Sequence, residues 1–135
     1  MNIRSVGCLS LLLLLAAAPL RAQVSLDLTG GELYRLHCAS CHGAAGRGDG
    51  PVASALLRKP PDLTRLAARR GGNFPEMEMR RIIDGRDVPE AHRGRDMPIW
   101  GLEFSRLPPQ GTSRTTSATV LIDRLVEHLR SLQVQ

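Results

Sequence analysis

The sequence predicts an all-α domain of three to five helices joined by loops. Three observations carry this. The stretch "SATVLIDRLVEHLRSLQ" places Leu121, Leu125, Leu129 and Leu132 on one helical face, with Ile122 and Val126 beside them. The stretch "FPEMEMRRIIDGR" has acids at its start, arginines near its end and Gly85 past it, the charge order a helix dipole favours. Finally, no run alternates apolar and polar residues as a strand would, and no internal repeat or low-complexity block stands out.

The elements follow in order. Residues 6–20 form an apolar run of fifteen, "VGCLSLLLLLAAAPL", after a single basic residue, Arg4. A membrane span needs about 20 apolar residues. The run is shorter, and small residues with "PLRA" follow it, so residues 1–22 read as a secretory signal peptide ending at Ala22. An uncleaved N-terminal membrane anchor is the alternative. The mature domain is then 23–135.

Next, "LTGGELYRLHCASCHG" reads as a helix. Thr29 and Glu32 have capping-box spacing, Leu33, Tyr34 and Leu36 supply apolar positions, and Gly43 lies past the end. "GAAGRGDGP" is a glycine-rich turn without the strand before it or the Gly-Lys-Ser/Thr ending of a phosphate loop. A short helical piece and Pro60-Pro61 follow, and Asp62 or Thr64 can cap one further turn. In the helix beginning near Pro75, a residue suited to the first helical position, Met79, Ile82 and Ile83 share a face. Residues 86–113 read as irregular, with prolines at 89, 98, 108 and 109.

Composition narrows the function. The chain has 135 residues, room for one domain, and only 3% aromatic residues. Such a thin core gains from a large apolar cofactor at its centre. The net charge of +5 falls to +3 once Arg4 and Arg21 leave with the leader. No basic run is interleaved with aromatics, which argues against a nucleic-acid partner. Mild positive charge suits an acidic protein or membrane surface.

The chemistry lies in "LHCASCHG". Cys8 goes with the leader, so Cys38 and Cys41 are the two thiols of an exported protein. They stand three apart on one helical face, with His42 beside them. Two thiols at this spacing can add to the two vinyl groups of a haem while the imidazole reaches the iron, and C-x-x-C-H is the c-type haem attachment pattern. Structural zinc needs four ligands, and no second cysteine pair exists. A thioredoxin-like dithiol needs a strand before it. One covalent haem c is therefore expected, with His42 as an iron ligand. The other His42 nitrogen needs an acceptor, and the Pro51 carbonyl, nine residues on, is the candidate.

The segments "LYRLHCASCHG", "GRGDGP", "PPDLT", "IIDGR" and "DMPIWG", in that order, resemble the class I bacterial mono-haem cytochrome c family across nearly the whole mature chain. The resemblance implies a cytochrome c fold, with a few helices wrapped around one haem and the terminal helices crossing. It also implies an electron-transfer protein, not an enzyme, acting outside the cytoplasmic membrane.

Met77, Met79, His92 and Met97 compete for the second axial position. Met97 precedes Pro98, which favours an extended backbone, and the resemblance places its methionine ligand in such a Met-Pro loop. Met97 is the expected ligand. Met77 and Met79 read as helix and core residues, and His92 as a surface residue. Trp100 packs either near the haem or in the ordinary core. Arg93 and Arg95 are either propionate partners or solvated charges.

Three roles follow. The first is a periplasmic single-electron carrier whose partners are redox proteins in the periplasm or on the membrane surface, with no small-molecule substrate. The second is a cytochrome subunit of a larger respiratory oxidoreductase, with residues 107–117 as a docking insertion. The third is a haem ligand sensor, which requires an open or labile sixth position.

Overall fold

The computed structural model describes residues 28–85, 97–107 and 117–134. Residues 1–22, expected to be a leader, His92, Arg93 and Arg95, and most of the expected docking insertion lie outside the described residues. The described residues hold five α-helices, α1 (Gly30–His37), α2 (Ala39–His42), α3 (Glu76–Asp84), α4 (Trp100–Ser105) and α5 (Ala118–Ser131), with three single 3₁₀ turns between α2 and α3. No strand is present among them, as the sequence predicts. None of the described helices is long and apolar enough to cross a membrane.

The start of α1 follows local chemistry. The Glu32 carboxylate accepts from the Thr29 backbone N–H at 2.8 Å, and the Glu32 N–H donates back to the Thr29 hydroxyl at 3.3 Å. These reciprocal bonds satisfy N–H groups that a helix start leaves unpaired. They also hold the Glu32 carboxyl below its ordinary range.

The expected single helix through the cysteines is instead two. Cys38 ends α1 and begins α2 with φ −116°, and α2 is one turn long. A second correction concerns Leu36, which is 65% exposed while Leu33 and Tyr34 are buried. Leu36 sits three residues from Leu33, but the face of α1 that packs on α5 carries Leu33 and Tyr34 and leaves Leu36 outside.

α5 is the central post. Its buried face is Leu121, Ile122, Leu125, Val126 and Leu129, and α1, α3 and α4 all pack against it. Each such side chain contributes about 1.5–3 kcal/mol on burial. The crossing with α1 is close because Gly30 has no side chain. A Cβ there would overlap the Arg124 carbonyl oxygen and lie 2.8 Å from its carbon. The Arg124 guanidinium also donates to the Leu28 carbonyl at 2.8 Å.

α3 ends at Gly85 with φ +88°, as its position after Asp84 predicts. Pro75 caps α3 from outside the first turn instead of occupying its first position. Met79 and Ile83 are buried, and Ile82 packs beside them. Arg80 of α3 pairs with Glu76 and with Asp123 of α5, and Arg130 of α5 pairs with Glu76. Within the stretch expected to be irregular, residues 100–105 form α4, because Trp100 and Phe104, four apart, share one face. The C-terminus closes over the middle of the chain. Gln133 accepts from Ala67 N–H and donates to the Leu63 carbonyl, while Val134 N–H donates to the Thr64 carbonyl.

Candidate haem-binding site

α1, α2, α3, α5, the Pro60–Leu66 stretch and the Met97–Trp100 segment surround one cavity of about 540 Å³. Its size falls within the range of cofactor pockets, about 300–1,000 Å³. Apolar side chains make most of the wall, including Leu63, Leu66, Met79, Ile83, Leu125 and Leu129. Cys38, Cys41 and His42 line one part of it, and Met97, Pro98 and Trp100 another.

The cysteine side is held by backbone hydrogen bonds. His42 N–H donates to the Cys38 carbonyl at 2.9 Å, and Gly43 N–H to Ala39 at 2.9 Å. The glycine-rich stretch read as a plain turn folds back on this motif. Gly48 N–H donates to the His42 carbonyl, Gly50 N–H to Cys41 and Val52 N–H to Ser40. Gly43, Gly46 and Gly48 all take positive φ, which admits glycine without strain. Leu63 N–H donates to the Gly46 carbonyl at 2.7 Å, so the loop also places the Leu63 wall.

Pro51 lies between Gly50 and Val52, whose N–H groups bond Cys41 and Ser40. Its backbone is therefore held alongside α2, while its side chain is exposed and stays off the cavity wall. The Nδ1 of His42 is sealed from solvent.

Tyr34 is a site residue that sequence reading assigned only to the core. It is buried, lines the cavity and donates its hydroxyl hydrogen to the Gly43 carbonyl at 2.8 Å. Burial, with smaller contributions from Cys38 and Asp49, pushes this phenol up to about 12. Its nine-residue separation from Gly43 gave no helical or strand signal. His37, the last residue of α1, is a second site residue. It lines the cavity, with its ring 5.1 Å from Trp100 and 5.3 Å from Phe104. Burial lowers its pKa.

Cys38 and Cys41 are not joined in a disulfide. Burial, and less so the neighbouring Cys41, pushes the Cys38 thiol up to about 12. Among the described residues, no group of three His, Cys, Asp or Glu side chains is placed to hold a metal ion. What the site offers is two thiols and an imidazole at one side of an apolar cavity and a thioether on the wall. That donor set fits a haem.

The family model for cytochrome c matches residues 28–104, more than half of the chain. The chain belongs to the cytochrome c family. No curated protein matches it. Cytochrome c proteins are haem-binding electron-transfer proteins, and this one carries a covalent c-type haem at its C-x-x-C-H motif. The match runs from the start of α1 through α4, so it spans both the cysteine side and the Met97–Trp100 segment of the cytochrome c cavity.

Of the residues weighed for the second axial position, Met77 is 69% exposed and off the cavity. Met79 lines the cavity from α3 as part of the buried core. Met97 lines it from a non-helical segment, half-buried against the core. Trp100 lines it too, so its two expected positions coincide.

Proposed function

We propose that this cytochrome c is a periplasmic single-electron carrier whose iron is held by His42 and Met97. The observation that carries the reading is that Met97 and the C-x-x-C-H motif line the same apolar cavity. When bound, the haem supplies a reversible one-electron couple. Cys38 and Cys41 would fasten it through thioether bonds, and His42 and Met97 would hold the iron. The Pro51 carbonyl accepts from His42 Nδ1 and so fixes the ring. A thioether ligand raises the potential and leaves no open site for oxygen or peroxide, which suits a carrier. Leu63, Leu66, Met79, Ile83 and Leu125 keep water away, so little rearranges when the charge changes.

The leader-like residues 1–22 and the C-x-x-C-H motif support an exported, periplasmic protein. Its partners are redox proteins in the periplasm or on the membrane surface.

The test is the optical spectrum of the matured, oxidised protein. A weak long-wavelength methionine-sulfur-to-iron band is expected. It should vanish in Met97→Ala, and the reduction potential should fall by on the order of 0.1 V or more, within the range axial ligands command. An unchanged spectrum and potential in Met97→Ala would falsify the ligand assignment. Carbon monoxide binding by the reduced wild type at neutral pH would favour a sensor over a carrier.

A further inference from the structure

Where Met97 sits is decided by how the chain after it meets the end of α3. Two interlocks hold that meeting. The Ile99 side chain fills the space beside Gly85, where a Cβ would lie 2.5 Å from Ile99 Cγ2 and 3.2 Å from its Cβ. Reciprocally, the Asp84 side chain fills the space beside Gly101. A Cβ on Gly101 would overlap Asp84 Oδ1 and lie 2.6 Å from the Asp84 carbonyl oxygen. Each segment thus offers one bulky side chain and one glycine, and each side chain seats on the other's glycine.

We propose that the Asp84–Gly101 and Ile99–Gly85 contacts form a steric latch that positions Met97, with Gly101 as its most sensitive residue. The inference rests on reading Met97 as the second axial ligand. Gly85 has φ +88°, so backbone conformation alone explains a glycine there. Gly101 is different. It is a helical residue of α4 without positive φ, where alanine would favour the helix. The space taken by Asp84 is what calls for glycine. Only Pro98, with its fixed φ, separates Met97 from the clamped Ile99. A shift of the clamp therefore passes to Met97 with little torsional slack to absorb it. α3 in turn packs on α5, with Met79 and Ile83 buried in the core, so the α3 half of the latch does not yield readily.

The experiment uses matured ferric holoprotein and reads the methionine–iron band, the affinity for added imidazole and the melting temperature. In Gly101→Ala the band should weaken or disappear. Imidazole, competing for the sixth position, should bind roughly ten- to a hundredfold more tightly, the equilibrium expression of a core overpacking cost. Gly30→Ala is the control. Its new Cβ meets the α5 backbone just as closely, but at the start of α1 and not at the latch. It should lower the melting temperature and leave band and imidazole affinity as in wild type.

Asp84→Ala supplies a variant that removes one arm of the latch without adding bulk. It should raise imidazole affinity several-fold, and it carries the test if Gly101→Ala does not mature. The latch is overturned if both variants keep the wild-type band and affinity, or if Gly30→Ala moves them equally. A wild type whose band is absent, and whose spectrum Met97→Ala does not alter, overturns the ligation reading and the latch with it. A band lost only in Met97→Ala overturns the latch alone.

Discussion

The two sides of the haem cavity are built on different physical terms. On the cysteine side, hydrogen bonds hold the shape together with close glycine contacts, since a Cβ on Gly50 would overlap the Ser40 carbonyl oxygen. Gly48, Gly50 and Val52 donate to the His42, Cys41 and Ser40 carbonyls, and Tyr34 donates to Gly43. On the methionine side, interlocking shapes hold it, with Ile99 seated on Gly85 and Asp84 against Gly101. Directional bonds within one short stretch tolerate the loss of a neighbour. A steric fit between segments distant in sequence does not. On the methionine side a single methyl group at Gly101 should therefore change the iron's surroundings without touching the attachment motif, and on the cysteine side the loss of a hydrogen bond should cost stability first.

Replacing Tyr34 by Phe sharpens this contrast most. The Gly43 carbonyl loses one of two donors and keeps the Gly46 N–H at 3.1 Å, so the cost is that of one hydrogen bond, about 0.5–1.5 kcal/mol. Denaturant unfolding of the holoprotein should show that loss while the methionine–iron band stays in place. A lost band in Tyr34→Phe would break the comparison, because it would tie the two sides together. Thr29→Ala, at the far end of α1, removes the capping box and should cost about 1 kcal/mol, with no change in spectrum.

The smallest effect is that of pH. His128 packs its ring 5.2 Å from Tyr34, and burial, with a smaller contribution from Arg35, lowers its pKa below the ordinary histidine value. The unfolded chain then binds the proton more readily than the folded one. Stability contributed by neutral His128 is fully present above the unfolded pKa, about 6.5, and is lost as pH falls through the lower folded value. His37 shifts the same way and adds to it. Glu32 and Asp62 are shifted below carboxylate values, so their stability is lost in a more acidic window. Melting temperature should drop between pH 7 and pH 5, and His128→Gln should flatten part of that slope. An unchanged slope would mean the ring titrates as in water.

Much of this was readable without coordinates, for a common reason. The capping box of Thr29 and Glu32, the cap of Asp62 on Thr64, the Gly85 stop and the apolar face of α5 all depend on residues within one or two helical turns. So does the C-x-x-C-H motif, whose chemistry is its spacing. Short separations leave few geometries open, and the residue types then decide among them.

What stayed hidden depends on distant segments meeting. Leu36 carries an apolar side chain at a plausible spacing, yet which edge of α1 faces α5 is set by the Gly30 crossing. The Tyr34 bond to Gly43 needs α1 and the glycine-rich turn folded together. The helical turn at Trp100 is too short to show a period. The sequence by itself determined an all-α chain, its caps and its haem attachment motif, because these are local agreements between backbone and side chain. Only the tertiary structure decided that Met97 and not Met77 reaches the cavity wall, that His37 and Tyr34 belong to the site, and that Gly101 is needed for space. Those outcomes depend on shapes meeting across the fold, where one ångström of approach separates contact from overlap.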